Sequence, residues 1–290
     1  MAVSCVILNY NDHTTTLKLV NRIRDYKNLD YVVVVDNAST DDSAKHLEKL
    51  AGGKVIFIQN DSNKGYGAGN NVGIKYSRDV LSCKYVLIAN PDVEFEDESV
   101  GALVAGFDKA DNCAVVSCVM KNAEGTPQIS GWRNYGFMKN LLSTEPVCIR
   151  LFRNVLHYPK KYFENKGWCE VEAVPGSLLM VDADKMTDVG LYDENMFLYE
   201  EERTLGFKLK QKGYRTVLLL DHSYIHRHSV SIKKSVKSAV ARQKILHKTK
   251  MYYYKEYLHI NKAQELFARA WLGFVMLEVR IATGVFKISW

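Results

Sequence analysis

One stretch decides the predicted fold: Lys84-Tyr85-Val86-Leu87-Ile88-Ala89-Asn90-Pro91-Asp92. In it an apolar run stops abruptly at a polar turn. An uninterrupted apolar run of this length is typical of a strand buried on both faces of a sheet. Asn, Pro and Asp all favour turns, and Pro91 has a fixed φ angle. The sequence therefore predicts a buried strand that delivers Asp92 to one edge of a sheet.

Three earlier segments repeat this pattern of a short apolar strand that ends at a polar cluster. They are Val3–Leu8, Tyr31–Val35 and Val55–Gln59, followed by Asn9–Asn11, Asp36–Asp41 and Asn60–Asn71. Helical spacing predicts helices between them, over Thr14–Tyr26, Asp41–Leu50 and Val72–Asp79. This alternation predicts an α/β fold with a mostly parallel, Rossmann-like sheet and helices on both faces. Ligands bind such sheets outside the carboxyl ends of the strands, where the polar clusters lie.

The second half of the chain gives a more mixed pattern. Strands are predicted at Val115–Met120, within Glu172–Val181 and at Val217–Leu220, and a helix at Thr204–Lys212, whereas Gln128–Lys166 is irregular and gives no firm prediction. From Ser235 to Trp290 the pattern is helical, with no turn signal before about Gly273. We therefore divide the chain into an α/β domain, residues 1–232, and a helical extension, residues 233–290.

Composition excludes several classes of protein. The net charge is +6, but the lysines are scattered among acids up to about residue 225, which argues against a nucleic-acid-binding protein. A basic segment then runs from Arg227 to Lys250, which suits an anionic phospholipid, a phosphorylated substrate or nucleic acid.

The six cysteines form no CxxC pair and are interpreted as reduced core thiols, which favours the cytoplasm. We expect neither a signal peptide nor a membrane-spanning helix.

Three polar clusters could carry ligands. Asp92 at the mouth of a parallel sheet is well placed to hold a divalent cation, although the triplet Asn90–Asp92 is also typical of a plain turn. Asp36 could accept hydrogen bonds from a ribose or a base, although Ser39 or Thr40 could equally cap the next helix. The glycine-rich segment Asn63–Asn71 permits close approach of a ligand, and its alternative is a flexible surface loop. Its spacing fits neither a dinucleotide fingerprint nor a phosphate-binding loop.

Two further groups could carry catalysis. Glu200-Glu201-Glu202 follow the apolar residues Met196–Tyr199, so a carboxylate there could have a raised pKa and act as a general base. Three adjacent acids are otherwise typical of a solvated face. His226 and His228 flank Arg227 after a strand and could bind a metal or a phosphate, although single histidines are usually structural.

In their order and spacing these segments resemble the family 2 glycosyltransferases, specifically the bacterial rhamnosyltransferase-like branch. The resemblance runs from Val3 to about Ser231. It is carried by Val6–Asn11, Val35–Asp41, Asn63–Gly73, Asn90–Asp92, Pro175–Ser177, Phe197–Tyr214 and His226–Ser229. It implies a GT-A fold, residues 1–232 as the catalytic domain, a nucleotide-sugar donor, an inverting single displacement, and Mg²⁺ or Mn²⁺ as cofactor.

The resemblance also implies roles for single residues. Those expected around the donor nucleotide are Asn9, Asn11, Asp36, Ser39, Lys64, Gly65, Asn71 and Asn90. Asp92 would be the metal-binding acid, with Asn90 where a first acid often stands, and His226 or His228 would complete the site. Glu201-Glu202 matches the family's Glu-Asp pair, so Glu202 is the expected base and Glu201 the fallback. Thr204 replaces the family's next acid.

The acceptor side and the partners are expected from the same resemblance. Gly176 and Ser177 would lie beneath the acceptor. Trp132 could offer a sugar ring an aromatic face, and its alternative is ordinary core packing. The expected partners are a UDP- or dTDP-linked hexosyl donor and a glycan or polyprenyl-linked acceptor of surface polysaccharide synthesis, without nucleic acid.

The helical extension is basic and then apolar, with Tyr252, Tyr253, Tyr254 and Tyr257 before the apolar stretch Ala268–Trp290. We predict amphipathic helices that lie peripherally on the inner face of the cell membrane. The competing interpretations are packing against the catalytic domain and a homodimer contact.

Two rival functions use the same kind of sheet. A nucleotidyltransferase would need a glycine-rich, basic loop directly after the first strand, and Asn9-Tyr10-Asn11-Asp12 is neither. A non-catalytic nucleotide-sugar-binding protein would not need both a metal-binding acid and a candidate base.

Overall fold

The computed structural model of the protein describes residues 1–227 and 238–284. Within these ranges the centre is a nine-stranded sheet in the order β3-β2-β1-β4-β8-β6-β9-β5, with β7 paired to β9. The strands are β1 Val3–Asn9, β2 Tyr31–Asp36, β3 Val55–Gln59, β4 Tyr85–Ala89, β5 Val93–Glu94, β6 Cys113–Lys121, β7 Trp168–Val171, β8 Leu178–Asp182 and β9 Arg215–His226.

The sheet has a parallel half and a mixed half. Strands β3, β2, β1 and β4 run parallel to one another, as the alternation of strands and helices predicts. Strand β8 runs antiparallel to both β4 and β6, while β9 runs parallel to β6 and antiparallel to β5 and β7. The predicted α/β fold is confirmed, and every antiparallel strand pair in the described residues includes β8 or β9.

The helices connect these strands and cover the sheet. They are α1 His13–Ile23, α2 Ser43–Glu48, α3 Tyr66–Asp79, α4 Asp97–Gly106, α5 Phe137–Leu142, α6 Pro146–Leu151, α7 Arg153–Leu156, α8 Ala183–Asp188, α9 Glu201–Gln211, α10 Ala239–Glu256 and α11 Lys262–Gly284. Short 3₁₀ turns add Phe107–Lys109 and Lys160–Tyr162. Residues 128–166, which are irregular in the sequence pattern, contain three short α-helices and one of these 3₁₀ turns.

The two faces of the sheet bury separate apolar clusters, as the alternation of side chains along a strand requires. On one face Cys5 and Val34 pack with helices α1, α2 and α4. On the other face Val6 and Val35 pack with α3, α8 and α9. Helices thus cover both faces, and the carboxyl ends of the parallel strands are left as the open edge.

The glycine-rich segment is not the predicted loop, because helix α3 already begins at Tyr66. A Cβ atom on Gly69 would approach the Leu8 side chain to 2.5 Å, and one on Gly73 would overlap Val6. The glycines therefore let the helix pack closely on β1, and this tertiary contact outweighs the low helix propensity of glycine. Helix α9 likewise begins three residues earlier than predicted, at Glu201.

Most of the cysteines are core thiols, as predicted. Cys5, Cys83, Cys113, Cys118 and Cys169 are buried and free. Burial raises the pKa of the Cys113 thiol to about 11 and that of the Cys118 thiol to about 12, so these groups stay protonated at neutral pH. Cys148 is the exception, since it is free but only half-buried.

The helical extension packs against the α/β domain. A third apolar cluster joins Tyr253 and Tyr254 of α10 and Leu272 of α11 to Phe137 and Met196. The predicted turn near Gly273 is misplaced: the chain turns between α10 and α11, and Gly273 lies inside α11. The four tyrosines of this segment pack within the protein: Tyr253 and Tyr254 are buried in the third cluster, and Tyr252 and Tyr257 are partly buried against it. None of the helices at residues 1–227 and 238–284 has the length and apolar character needed to cross a bilayer.

Candidate functional site

A cleft of about 650 Å³ opens at the carboxyl ends of the parallel strands. Of the predicted site residues, those that line it are Gly65, Asn90, Trp132, Gly176, Ser177, Glu201, Glu202 and His226. They come from six separate stretches of the chain, and the sheet brings them together at one edge. The volume is within the usual range for a small-molecule site.

Asn9 and Asp36 form a buried polar pair under one end of the cleft. The two residues are register partners on β1 and β2, and both are fully buried. Asn9 Nδ2 donates to Asp36 Oδ1 at 2.8 Å, and Ser39 donates to the same carboxylate through its hydroxyl (2.6 Å) and its backbone N–H (3.0 Å). Neither Ser39 nor Thr40 caps the next helix, because the N-cap of α2 is Asp42. The pair fixes the shape of the loop that follows β2.

Asn11 holds the same loop from the β1 side. Its backbone N–H donates to Ser39 Oγ at 2.9 Å, and its Oδ1 accepts from the backbone N–H of Thr40 at 2.8 Å. Asn11 has a φ of 53°, a value that Asn tolerates better than most residues. The polar residues that follow β1 and β2 are therefore bonded to each other as one unit.

Gly65 joins the loop after β3 to the segment that precedes helix α9. Its φ is 103°, and a Cβ atom there would overlap the carbonyl oxygen of Phe197. The backbone N–H of Tyr66 donates to that same oxygen at 2.9 Å. Asn37, which lines the cleft, donates to Asn63 Oδ1 and to the Gly65 carbonyl. Only glycine allows this close approach of two backbones.

Lys64 and Asn71 lie on either side of this junction and do not line the cleft. Lys64 is exposed, whereas Asn71 is buried in α3. The Asn71 side chain donates to the Tyr192 carbonyl at 3.0 Å and accepts from the Tyr192 backbone N–H at 3.0 Å. Asn71 thus ties α3 to the segment that precedes Glu201 and Glu202.

Asp92 and His226 form the acid–imidazole pair at the other side of the cleft. His226 Nε2 lies 3.2 Å from Asp92 Oδ1, and both side chains are largely buried. Strands β5 and β9 set this distance, because Val93 is the register partner of His226 and the Arg227 N–H donates to the Asp92 carbonyl. Asn90 lines the cleft beside Pro91, and its backbone N–H donates to Ser177 O. His228 lies outside the described residues.

A second group of possible metal ligands lies at the starts of helices α1 and α2. The donor atoms of His13, Asp42 and His46 all lie within 4.8 Å of one another, and His46 Nε2 is 3.1 Å from Asp42 Oδ2. The two imidazole rings stack at 4.5 Å with an angle of 8° between their planes. One ion cannot lie in two parallel ring planes, so this group would need a ring rotation before both histidines could bind the same metal.

Glu201 and Glu202 occupy the first turn of α9 and face the cleft. Glu201 is 5% exposed, and its Oε1 atom makes no hydrogen bond to the described residues. Burial, and then the charge of Glu202, raises the pKa of Glu201 well above its usual value. Burial also raises the pKa of Glu202, and the Gly176 N–H, which donates to Glu202 Oε1 at 3.1 Å, partly offsets this. Such carboxyl groups are suited to accept a proton near neutral pH.

Gly176 and Ser177 form the floor between the glutamates and Asn90. A Cβ atom on Gly176 would lie 2.8 Å from Glu202 Oε1, so glycine is needed for the glutamate to reach the backbone. The Tyr66 hydroxyl donates to the Gly176 carbonyl at 2.6 Å, and the Ser177 hydroxyl lies 2.7 Å from that of Tyr224. Trp132 is bridged to Ala173 through its backbone and closes one side of the cleft.

Several residues of the cleft escaped the sequence analysis. They are Tyr10, Asp12, Asn37, Tyr66, Met120, Phe197, Arg203 and Leu246. Most of them are neighbours of predicted residues, and a wider window around each polar cluster finds them. Leu246 is different, because it belongs to α10 in the helical extension, and no local pattern relates that helix to the cleft.

The chain is similar in sequence and in fold to known glycosyltransferases. Residues 4–172 match the family model described as Glycosyl transferase family 2. The chain is 27% identical over 211 residues to the low-salt glycan biosynthesis hexosyltransferase Agl10 of Haloferax volcanii, a match that covers 73% of this chain and 62% of that protein. The chain thus spans less than two thirds of the length of this relative.

Two further proteins are similar to the chain. The N-acetylglucosaminyl-diphospho-decaprenol L-rhamnosyltransferase of Mycobacterium tuberculosis is 22% identical over 222 residues, 72% of this chain and 70% of that protein. The solved structure of the mannosyltransferase PcManGT from Pyrobaculum calidifontis, in complex with GDP-Man and Mn²⁺, shares the fold at 15% identity, with a TM-score of 0.60 over 99% of this chain and 76% of that one. Since the family model matches more than half of the sequence, the chain belongs to glycosyltransferase family 2.

Proposed function

We propose that the protein is an inverting hexosyltransferase that moves a sugar from a UDP- or dTDP-linked donor to a hydroxyl of a glycan or polyprenyl-linked acceptor in surface polysaccharide synthesis. One observation carries the proposal: the buried Glu201 and the half-buried Glu202, both with raised pKa values, line one cleft of about 650 Å³ together with the imidazole of the Asp92–His226 pair. A base and an electrophilic site on one cleft are what displacement of a diphosphate requires.

Glu202 is the proposed base. Its carboxylate faces the cleft and is oriented by the Gly176 N–H, so it can take the proton of an acceptor hydroxyl that lies over Gly176 and Ser177. The acceptor oxygen then attacks the anomeric carbon from the face opposite the leaving diphosphate, and the configuration is inverted. Glu201 lies beside Glu202 in the same turn and is the alternative base. Trp132 would offer its ring to the acceptor sugar.

Asp92 and His226 are the proposed holders of a divalent cation. A carboxylate oxygen and an imidazole nitrogen 3.2 Å apart fit the donor set of Mn²⁺, whereas Mg²⁺ prefers oxygen alone. Asn90 would be a weaker oxygen donor beside them. When bound, the ion would neutralise charge on the leaving diphosphate.

The donor nucleotide is proposed to lie over the polar residues that follow β1, β2 and β3. Asn9, Asp36 and Ser39 would act mainly by fixing the loop, because their side chains already bond to each other. Asn11 and the backbone near Gly65 would border the nucleoside, and Lys64 would approach the diphosphate from the rim. Asn71 would act indirectly, because its side chain bonds to the Tyr192 backbone and not to the donor.

A donor screen tests the function. Thermal shifts with Mn²⁺ and UDP-, dTDP- or GDP-sugars identify the nucleotide, since a ligand at 100 times its Kd stabilises a protein by about 2.7 kcal/mol. The same donors are then assayed for hydrolysis and transfer. We expect nucleoside diphosphate as the product. If a donor instead reacts with added pyrophosphate to give a nucleoside triphosphate and a sugar 1-phosphate, the protein is a nucleotidyltransferase. Binding without turnover would identify a non-catalytic binding protein.

We also propose that the protein is cytoplasmic and lies peripherally on the inner face of the membrane, through helix α11. Its exposed apolar residues form one stripe: Leu266, Phe267, Phe274, Leu277 and Ile281. Residues seven apart lie on nearly the same side of a helix, so Phe267, Phe274 and Ile281 align. Arg269 and Arg280 are exposed on the same helix and suit anionic headgroups. A homodimer contact through this stripe is the alternative.

A further inference from the structure

The turn that places the two glutamates is strained. Tyr199 and Glu200 have φ angles of 75° and 65°, in the left-handed region that residues other than glycine rarely adopt. Glu200 is also the N-cap residue of α9, so the strain sits directly before Glu201 and Glu202. Two consecutive residues stay in this conformation only where surrounding contacts hold them.

Helix α10 of the C-terminal extension supplies those contacts. Lys250 Nζ lies 2.8 Å from Glu200 Oε1, and the two side chains are 5% and 8% exposed. The Thr249 hydroxyl donates to the Leu198 carbonyl at 2.9 Å. The loop from Leu198 to Glu200 is thus bonded to two adjacent residues of one helix.

A buried amide completes the arrangement. Lys250 Nζ donates to Asn140 Oδ1 at 2.9 Å, and the Tyr254 hydroxyl donates to the same oxygen at 2.9 Å. Burial alone would raise the pKa of Glu200, but Lys250 and Arg203 outweigh it and the pKa is lowered, so Glu200 is charged at neutral pH. Burial lowers the pKa of Lys250, and the nearby charge of Glu200 opposes that shift. Removal of Lys250 alone leaves a buried carboxylate without its main partner.

The same helix reaches the cleft itself. Leu246, one helical turn before Lys250, lines the cleft together with Glu200, Glu201 and Glu202. Residues four apart share one face of a helix, so a single face of α10 contacts both the cleft and the strained turn.

We propose that Lys250 is a positioning residue for the transfer reaction: by its ion pair with Glu200 it holds the strained turn and thereby sets the direction of the Glu201 and Glu202 carboxylates. The C-terminal extension is thus part of the active site. This inference rests on the proposed function, in which Glu202 or Glu201 acts on the acceptor. Misplacement of a catalytic group by about 1 Å can lower the rate by ~10²-fold.

The test compares three variants of the full chain. Lys250→Met removes the charge and keeps most of the side-chain length. Glu200→Gln/Lys250→Met removes both charges, so no unpaired charge is buried. Lys248→Met makes the same change at an exposed position of the same helix and is the matched control.

We expect Lys250→Met to lower kcat by ~10-fold or more and to lower Tm, with the donor Kd within about twofold of wild type. The double variant should regain most of the Tm but keep the low kcat, because the ion pair between Lys250 and Glu200 no longer holds the turn. A purely structural role of the pair would restore kcat together with Tm. The inference is overturned if the folded double variant turns over within about twofold of wild type. If the single variant does not fold, the double variant decides.

Hydrogen exchange of the backbone amides at residues 198–204 separates this inference from the function on which it rests. Exchange should be faster in the double variant than in the Lys248→Met control, whether or not the protein transfers sugar. A wild-type protein that turns over no donor refutes the proposed function, and the exchange result then decides the role of Lys250 alone. Unchanged exchange at residues 198–204 would refute that role.

Discussion

The backbone N–H of Gly176 donates to Glu202 Oε1 at 3.1 Å, and this bond aims the carboxylate of Glu202 across the floor of the cleft. It joins the loop before β8 to the first turn of α9. The relationship explains why the second glutamate is the better candidate base, since Oε1 of Glu201 has no such donor among residues 1–227 and 238–284.

Glu202→Gln should lower kcat by ~10²–10⁴-fold, because an amide cannot accept the acceptor proton. Donor binding should be nearly unchanged, since the side chain keeps its shape. Steady-state kinetics with the donor found by the screen, together with its Kd from calorimetry, measure both. Glu164→Gln, at an exposed position, is the control for the charge change. Wild-type turnover by Glu202→Gln would assign the base to another group, with Glu201 the first to examine.

Glu201→Gln should stabilise the protein at pH 8 and have little effect at pH 5. Burial and the charge of Glu202 raise the folded-state pKa of Glu201 above its unfolded value, so stability falls as pH rises through the folded pKa. The uncharged amide in the variant removes this loss of stability at high pH. A gain of ~1 kcal/mol corresponds to a Tm increase of ~2–4 °C in a large domain. Thermal unfolding of both proteins at the two pH values is the measurement, and an equal shift at both would contradict the raised pKa.

Asp92→Asn should abolish most of the Mn²⁺-dependent stabilisation by the donor and lower kcat by ~10²–10³-fold. His226→Gln should weaken Mn²⁺ binding less, because it removes a neutral ligand. Mn²⁺ titrations followed by electron paramagnetic resonance measure the affinity directly. His46→Gln is the control in the other group of possible ligands. If His46→Gln, and not Asp92→Asn, removes Mn²⁺ binding, the metal lies at His13, Asp42 and His46 instead.

Gly65→Ala should destabilise the protein by more than ~2 kcal/mol and reduce transfer, because the new Cβ would force the Phe197 backbone away from the start of α3. Gly125→Ala is the matched control for the backbone conformation. Gly125 also has a positive φ, 79°, but nothing lies within 4 Å of a Cβ there. The control should cost only ~1 kcal/mol, from backbone conformation alone. Urea unfolding compares the two variants. Equal losses would show that the contact with Phe197 is unimportant.

The sequence predicted the parallel half of the fold well because its signals are local. Each of the first four strands is one apolar run that ends at a polar turn, and the register partners Asn9 and Asp36 come from two such ends. Glycine-rich residues 65–73 misled the prediction, because the packing of α3 on Val6 and Leu8 is a tertiary effect. The contact of Lys250 with Glu200 joins residues 50 apart in the chain, and each looks like an ordinary surface charge in the sequence alone.

Leu266→Ser/Phe274→Ser should weaken binding to anionic phosphatidylglycerol vesicles by ~100-fold, since each large apolar side chain withdrawn from a lipid interface loses ~1.5 kcal/mol or more. Both residues are exposed, so the fold and the cleft should be retained. Vesicle sedimentation measures the effect, and Val80→Ser, at an exposed valine next to α3, is the matched control. Phosphatidylcholine vesicles should bind less strongly than anionic ones. If vesicle binding is unchanged and light scattering shows that the double variant converts a dimer to a monomer, the stripe on α11 is a homodimer contact.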